Sequence, residues 1–221
     1  MNDTFETGME LYLRPTLTIN ADHEGIVTTV NEVTAGCTTD AETATALFYF
    51  VRDSIRYNIY MISAAIDDFR ASQVLEWGKG YCVQKAVLLA AMGRAAGVPS
   101  RLTFARIRNN KLPPHIVERI GTNILPRHGY TQFFLHDRWV SATPTFDKEL
   151  CSRLEVPPVE FNGEGNAVLP EKDLRGNPFI DYVEKFPHCD DLPFEWIAER
   201  VRAVFGPEKR AWVDKNQEQE K

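Results

Sequence analysis

The 221-residue sequence predicts a single α+β domain. Three observations carry that reading. Up to Gly97 the apolar residues recur at helical spacing, and from Arg101 onward the period shortens to strand-like runs separated by turns. Helices first and an antiparallel sheet afterwards are the order of an α+β fold. The third is the stretch Gly78-Lys79-Gly80-Tyr81-Cys82, which sets a thiol directly before the central helix.

The elements follow in chain order. Leu11 to Ile19 alternates in part and predicts an edge or broken strand, because Pro15 removes a ladder donor. Ile26, Val27, Val30 and Val33 predict a helix from Glu24 to Thr34, stopped by Gly36. Thr39 or Asp40 caps the next helix, with Glu42 in its first turn and Leu47, Phe48, Val51 and Ile55 on one face through Arg56. A short helix runs from Ser72 to Trp77 and stops at Gly78. In the Cys82 helix, Ala86, Leu89, Ala90 and Gly93 form a small-residue face, and Val87, Leu88 and Met92 widen the buried surface. Gly97 and Pro99 end it.

Arg101 to Ile107 reads as a strand, and residues 109–127 as a polar loop with a short helical turn. His128 heads the next strand, which runs to Leu135 and turns at His136-Asp137 into Arg138 to Ala142. Val159 to Phe161 and Ala167 to Leu169 suggest a second small hairpin around Gly163 and Gly165. A last helix spans Pro193 to Phe205. One domain over residues 1–214 is expected, with a polar tail over 215–221.

Composition sets limits on function. Apolar residues are 43% and charged residues 25%, the balance of a globular protein. The net charge of −6 argues against a nucleic-acid or anionic-membrane surface. No apolar run approaches the roughly 18 residues of a membrane span, and the start of the chain lacks the apolar stretch of a secretory signal. Cys37, Cys82, Cys151 and Cys189 are widely spaced with no C-x-x-C pair, which predicts reduced thiols and a cytoplasmic protein. His188-Cys189 lacks the two further ligands a metal site needs. Trp77 and Trp139 read as core, and Arg101 as the partner of a carboxylate.

Cys82 carries the chemistry. A thiol at a helix N-terminus meets the positive end of the helix dipole, roughly half an elementary charge, and that field favours thiolate. His128, 46 positions later, is the residue able to complete its activation. The bland alternatives are a cysteine that serves as a small core hydrophobe and a histidine that serves as a strand-end residue.

Gly80-Tyr81-Cys82-Val83-Gln84-Lys85-Ala86, Gly97-Val98-Pro99-Ser100-Arg101, His128 and Trp139-Val140-Ser141-Ala142-Thr143-Pro144-Thr145, taken in order, resemble the transglutaminase-like superfamily. Ile55-Arg56-Tyr57 resembles that family's upstream helix end, and the likeness covers residues 41–147. The resemblance implies a papain-like fold, a Cys-His-Asp triad, and no cofactor or metal. Its members include amide-bond transferases, peptidases, deamidases and proteins that have lost activity. Carried onto this chain, Cys82 is the nucleophile and His128 the base and acid. The third position falls on Thr143, where the family has aspartate. A threonine hydroxyl can orient an imidazole but carries no charge, and Asp147, four residues on, is the alternative.

Attack on an amide needs an oxyanion donor as well as a thiolate. The backbone N–H of Cys82 offers one bond. Tyr57 is the leading candidate for the second, with Tyr81 behind it. The expected partner is a peptide or amide substrate, with water or an amine as acceptor. A transglutaminase-like scaffold that binds a peptide or protein without chemistry is the alternative. Residues 58–71 and 109–127 are the segments expected to set specificity.

Overall fold

The computed structural model describes residues 7–211, so the expectation for the 215–221 tail lies outside the described residues. Around one core, helices α1 (Thr7–Glu10), α2 (Glu24–Val33), α3 (Asp40–Ser54), α4 (Ala71–Trp77) and α5 (Cys82–Ala95) precede most of the sheet. Two short strands, β1 (Arg56–Tyr57) and β2 (Lys79–Gly80), pair in parallel among these helices. The main sheet follows, with β3 (Ser100–Asn109), β4 (Ile124–Leu135), β5 (Arg138–Ala142) and β6 (Ile180–Lys185) antiparallel in the order β5-β4-β3-β6. Helices α6 (Pro114–Ile120), α7 (Lys148–Leu154) and α8 (Phe194–Phe205) fill the connections and the C-terminal side. This is the α+β architecture the sequence predicts.

The local signals act as their chemistry requires. Thr39 and Glu42 close a reciprocal capping box at the start of α3. Gly78 and Gly97 end α4 and α5 with positive φ. His136 and Asp137 both have positive φ, as the primed two-residue hairpin turn between β4 and β5 demands.

Helix α5 is the centre of the molecule, buried on all sides from Cys82 to Arg94. It packs on β4 at three points. Val83 lies so close to Gly129 that a Cβ there would stand 3.2 Å from the Val83 Cα. The Thr131 hydroxyl donates to the Ala86 carbonyl at 2.8 Å. At the far end, a Cβ on Gly93 would stand 2.2 Å from Ser100 Oγ and 2.6 Å from the Phe133 ring. Arg94 then joins the ends of the chain to this helix, donating to the carbonyls of Arg14, Ser100 and Asp190.

Several expectations are corrected. Residues 11–19 form turns rather than a strand. The Tyr12 carbonyl still accepts from Ser100 N–H, so the segment lies against the α5–β3 turn without joining the sheet. Strand β4 begins at Ile124, so His128 is its fifth residue rather than its head. The stretch before it is apolar on its inner side, with Ile116 buried. No hairpin forms at 159–169; Ala167 makes only a bridge to Ala142. The edge strand β6 and helix α7 fall where no element was assigned. Among the described residues Arg101 pairs with no carboxylate: its guanidinium lies 3.8 Å from the Trp139 ring centroid and donates to Gln132.

Two register shifts bend the sheet beside His128. Ala105 pairs with His128 and Ile107 with Leu125, so β4 carries one extra residue over Pro126-Arg127. Proline has no N–H to give a ladder and is at home in such a bulge.

Gly93→Ala should lower stability by about 1–3 kcal/mol despite alanine's better helix propensity, because the added methyl overpacks the α5–sheet contact. A reduced denaturation midpoint at unchanged m-value is the expected result, and an unchanged or raised midpoint would refute the tight contact.

Candidate active site

Cys82 opens α5 with its side chain almost wholly buried. The backbone amides of Gly129, Val83 and Cys82 itself stand near enough to its sulfur to favour the thiolate. The first of these belongs to the peptide that links Gly129 to His128. Cys82 and His128 line one half-open cavity of about 660 Å³. No hydrogen bond joins the two side chains: the Nε2 of His128 is buried and without a partner.

The electrostatics differ from expectation. Burial pushes the Cys82 thiol up to about 11, and the three amides recover only part of that shift. The field of the helix start loses to desolvation. Burial also holds His128 down at about 3. At neutral pH the site thus contains a neutral thiol beside a neutral imidazole, rather than an ion pair.

The neighbours of Cys82 on its own helix hold the surroundings. Gln84 accepts from Tyr81 N–H and donates to the Asp68 carbonyl. Lys85 is fully buried and donates to the carbonyls of Arg52 and Ile55 at the end of α3, a natural place for a cation. Burial draws its ammonium down to about 7 against the pull of Asp147 and Asp53. Asp68 in turn accepts from Ser63, from both ends of the Arg210 guanidinium and from Ala211 N–H, which pins the segment after α8.

Tyr57 reaches the thiol through the β1–β2 pairing, which sets it opposite Gly80. Its ring packs edge-on to Phe146 at 4.9 Å, and its hydroxyl, raised well above its ordinary value by burial and by the neighbouring Cys82, faces the site. Tyr81 is more deeply buried, lies equally within the field of Cys82, and has a hydroxyl without a partner.

Asp147 does not turn toward the imidazole. One carboxylate oxygen accepts Tyr57 N–H at 2.8 Å and the other caps α7 through Leu150 N–H at 2.8 Å. It is a positioning residue for β1, because both oxygens are committed to backbone donors. Thr143 lies just past β5, fully buried, with its hydroxyl directed to Tyr182 rather than to the imidazole. It supplies His128 with neither a charge nor a bond.

What flanks His128 is aromatic. Tyr130 stacks on it with centroids 5.9 Å apart, and Tyr182 of β6 meets it edge-on at 6.1 Å. Tyr182 and Thr145, whose buried hydroxyl is also unpartnered, were not singled out from the sequence. The alternation around Tyr182, with exposed Asp181 and Glu184 beside it, was the signal available for the edge strand. Helix α8, which contributes Ile197, Val201 and Phe205 to the cavity, was likewise not read as part of the site. His115 stands at the cavity mouth, 2.7 Å from the Tyr60 hydroxyl. Among the described residues no group of three or more His, Cys, Asp and Glu side chains is placed to hold a metal ion.

A helix-start thiol held against a histidine-bearing strand of an antiparallel sheet defines a protein of the cysteine protease fold class. The sequence profile of the Transglutaminase-like superfamily matches residues 27–144, more than half of the chain, and the chain belongs to that superfamily. Similar solved structures include a candidate cysteine protease from Cytophaga hutchinsonii (13% identity over 82% of this chain and 54% of that one, TM-score 0.49). The periplasmic domain of TgpA from Pseudomonas aeruginosa, bound to ethylmercury, is 20% identical over 65% of this chain and 50% of that one, TM-score 0.43. A candidate protease from Parabacteroides distasonis is 14% identical over 62% of this chain and 25% of that one, TM-score 0.40. The chain spans at most about half the length of each of these proteins. No curated protein sequence matches.

His128 binds its proton only well below its ordinary pKa of 6.5. Between pH 6.5 and about 3 the unfolded chain takes up a proton there that the folded chain refuses. Stability must therefore fall as pH falls through that window, by up to about 1.4 kcal/mol per pH unit from this group. His128→Gln should flatten the acid limb of a stability–pH curve by up to that slope; identical limbs would show that the ring is not held neutral.

Proposed function

We propose that the protein is a thiol enzyme that cleaves or transfers an amide or peptide bond through a thioester on Cys82. The observation that carries this reading is that Cys82, at the start of α5, and His128, on β4, line one and the same half-open cavity. The steps balance without an added reagent. His128 takes the thiol proton as sulfur attacks the carbonyl carbon, so that a carbon–sulfur bond forms and the carbonyl π electrons move to oxygen. The tetrahedral intermediate collapses, the carbon–nitrogen bond breaks, and the imidazolium returns the proton to the leaving amine. Water or a second amine then attacks the thioester, with His128 taking its proton and returning it to sulfur. Water gives hydrolysis or deamidation, and an amine gives transamidation.

Because thiol and imidazole are both neutral at rest, proton transfer accompanies attack rather than preceding it. The developing oxyanion sits by the amides at the start of α5, and Tyr57, which lines the cavity, is the candidate donor ahead of Tyr81, whose hydroxyl is sealed inside the protein. Such a donor is typically worth about 10²–10³ in kcat. Tyr57→Phe should lower kcat by that factor with little change in KM, and an unaltered kcat would remove Tyr57 from the oxyanion site.

The uncharged Thr143 and the raised thiol favour a second reading, a binding scaffold without turnover. Cys151 supplies an internal control, since burial pushes its thiol to about the same value of 11. In the enzyme, iodoacetamide should label Cys82 well ahead of Cys151, and acyl adducts should appear by intact mass on the wild type but not on Cys82→Ala. His128→Ala should slow adduct formation by about 10² or more. Equal labelling of Cys82 and Cys151 with no acyl adduct would establish the scaffold.

A further inference from the structure

The cavity that Cys82 lines has a wall more specific than amide chemistry requires. Much of it is aliphatic: Ile59, Ile116 and Ile120, Leu125, and Val201 with Val204. An extended peptide laid along that part would carry N–H and C=O groups past side chains that offer no hydrogen bond, and each group buried unpaired is costly. A hydrocarbon chain meets no such cost. The volume of about 660 Å³ lies within the range of small-molecule sites.

The charge around the same cavity is opposite to that of the chain. The protein as a whole carries −6, yet the lining includes Arg119, Arg127, Arg200 and Lys209 against the single carboxylate of Glu118. Arg127 is compensated by Glu199 at 3.1 Å. The other three are not: Arg119 lies over the Phe205 ring, Lys209 donates to the carbonyls of Tyr60 and Arg210, and Arg200 is exposed with no ion-pair partner among the described residues. An apolar interior with cations at its edge is complementary to one kind of molecule.

We infer that the ligand of this site is an anionic amphiphile of the N-acyl amino acid class. Its aliphatic chain fills the cavity, its carboxylate meets Arg119, Arg200 and Lys209, and its amide lies at Cys82. This substrate class rests on the thiol-enzyme reading above, but the binding it requires can be measured without turnover.

The test uses the full chain as Cys82→Ala, titrated calorimetrically with N-octanoyl-, N-decanoyl- and N-dodecanoylglycine below their micelle concentrations. Affinity should rise about fourfold for each added methylene. N-dodecanoylglycine should bind at least tenfold more tightly than its uncharged glycinamide or than dodecyltrimethylammonium. Arg119→Glu with Arg200→Glu, both at exposed positions, should reduce that preference below threefold with the melting temperature unchanged. Affinity that ignores chain length, or equal binding of the cationic amphiphile, would overturn the inference. Glycine release by the wild type is followed separately. Chain-length-dependent binding without release would sink the thiol reading and keep the ligand class, whereas turnover of short amides without such binding would do the reverse.

Discussion

The close seating of α5 on β4 is the constraint from which the site follows. Gly129 and Gly93 mark its two ends, and the Thr131–Ala86 hydrogen bond lies between them. At both glycines the absence of a Cβ lets backbone approach backbone or ring. At the Gly129 end this proximity also turns an amide toward the Cys82 sulfur. Packing density and chemical placement are here the same contact. A looser helix–sheet interface would leave the thiol and the imidazole on separate elements with no common geometry.

Buried polar groups on this helix and at the start of α7 organise the rest. Gln84 holds the turn before α4, Lys85 holds the end of α3, and Asp147 takes the amide of Tyr57 on the strand that follows α3. Each is satisfied by backbone partners, as burial of a polar group requires. Among the described residues the buried side-chain atoms without a hydrogen-bond partner are His128 Nε2 and the hydroxyls of Thr45, Tyr81, Thr143 and Thr145. Of these residues, Tyr81 and His128 line the cavity that Cys82 shares.

Much of this was legible in the residues. Capping and stop signals at Thr39, Gly78 and Gly97 located the helices, because each acts through local backbone geometry. Cys82 and His128 stood out from helix-start position and motif order, and both line the same cavity. The third member did not resolve, because the choice between Thr143 and Asp147 depends on tertiary partners. Asp147 is claimed by Tyr57, ninety positions away in sequence. The ionisation state was also out of reach: a helix start is visible in sequence, but desolvation that outweighs its field is not. Strand β6 was missed because its exposed acidic alternation resembles a loop, and α8 gave no sign that its apolar face closes a cavity rather than a core.

The extra residue at Pro126-Arg127 has a consequence for how this strand can change. Proline offers no hydrogen to a neighbouring ladder, so the irregularity cannot slide along β4, and the tight turn at His136-Asp137 fixes the other end. The intervening pleat works as a ruler clamped at both ends. Its odd positions, Gly129, Thr131 and Phe133, meet the helix, while His128 and Tyr130 share the opposite parity. Inserting or deleting one residue anywhere between the clamps would exchange the two sets. The walls contributed by α6 and α8 carry no such count, so over evolutionary time they can be recut for new ligands while the histidine strand must keep its length.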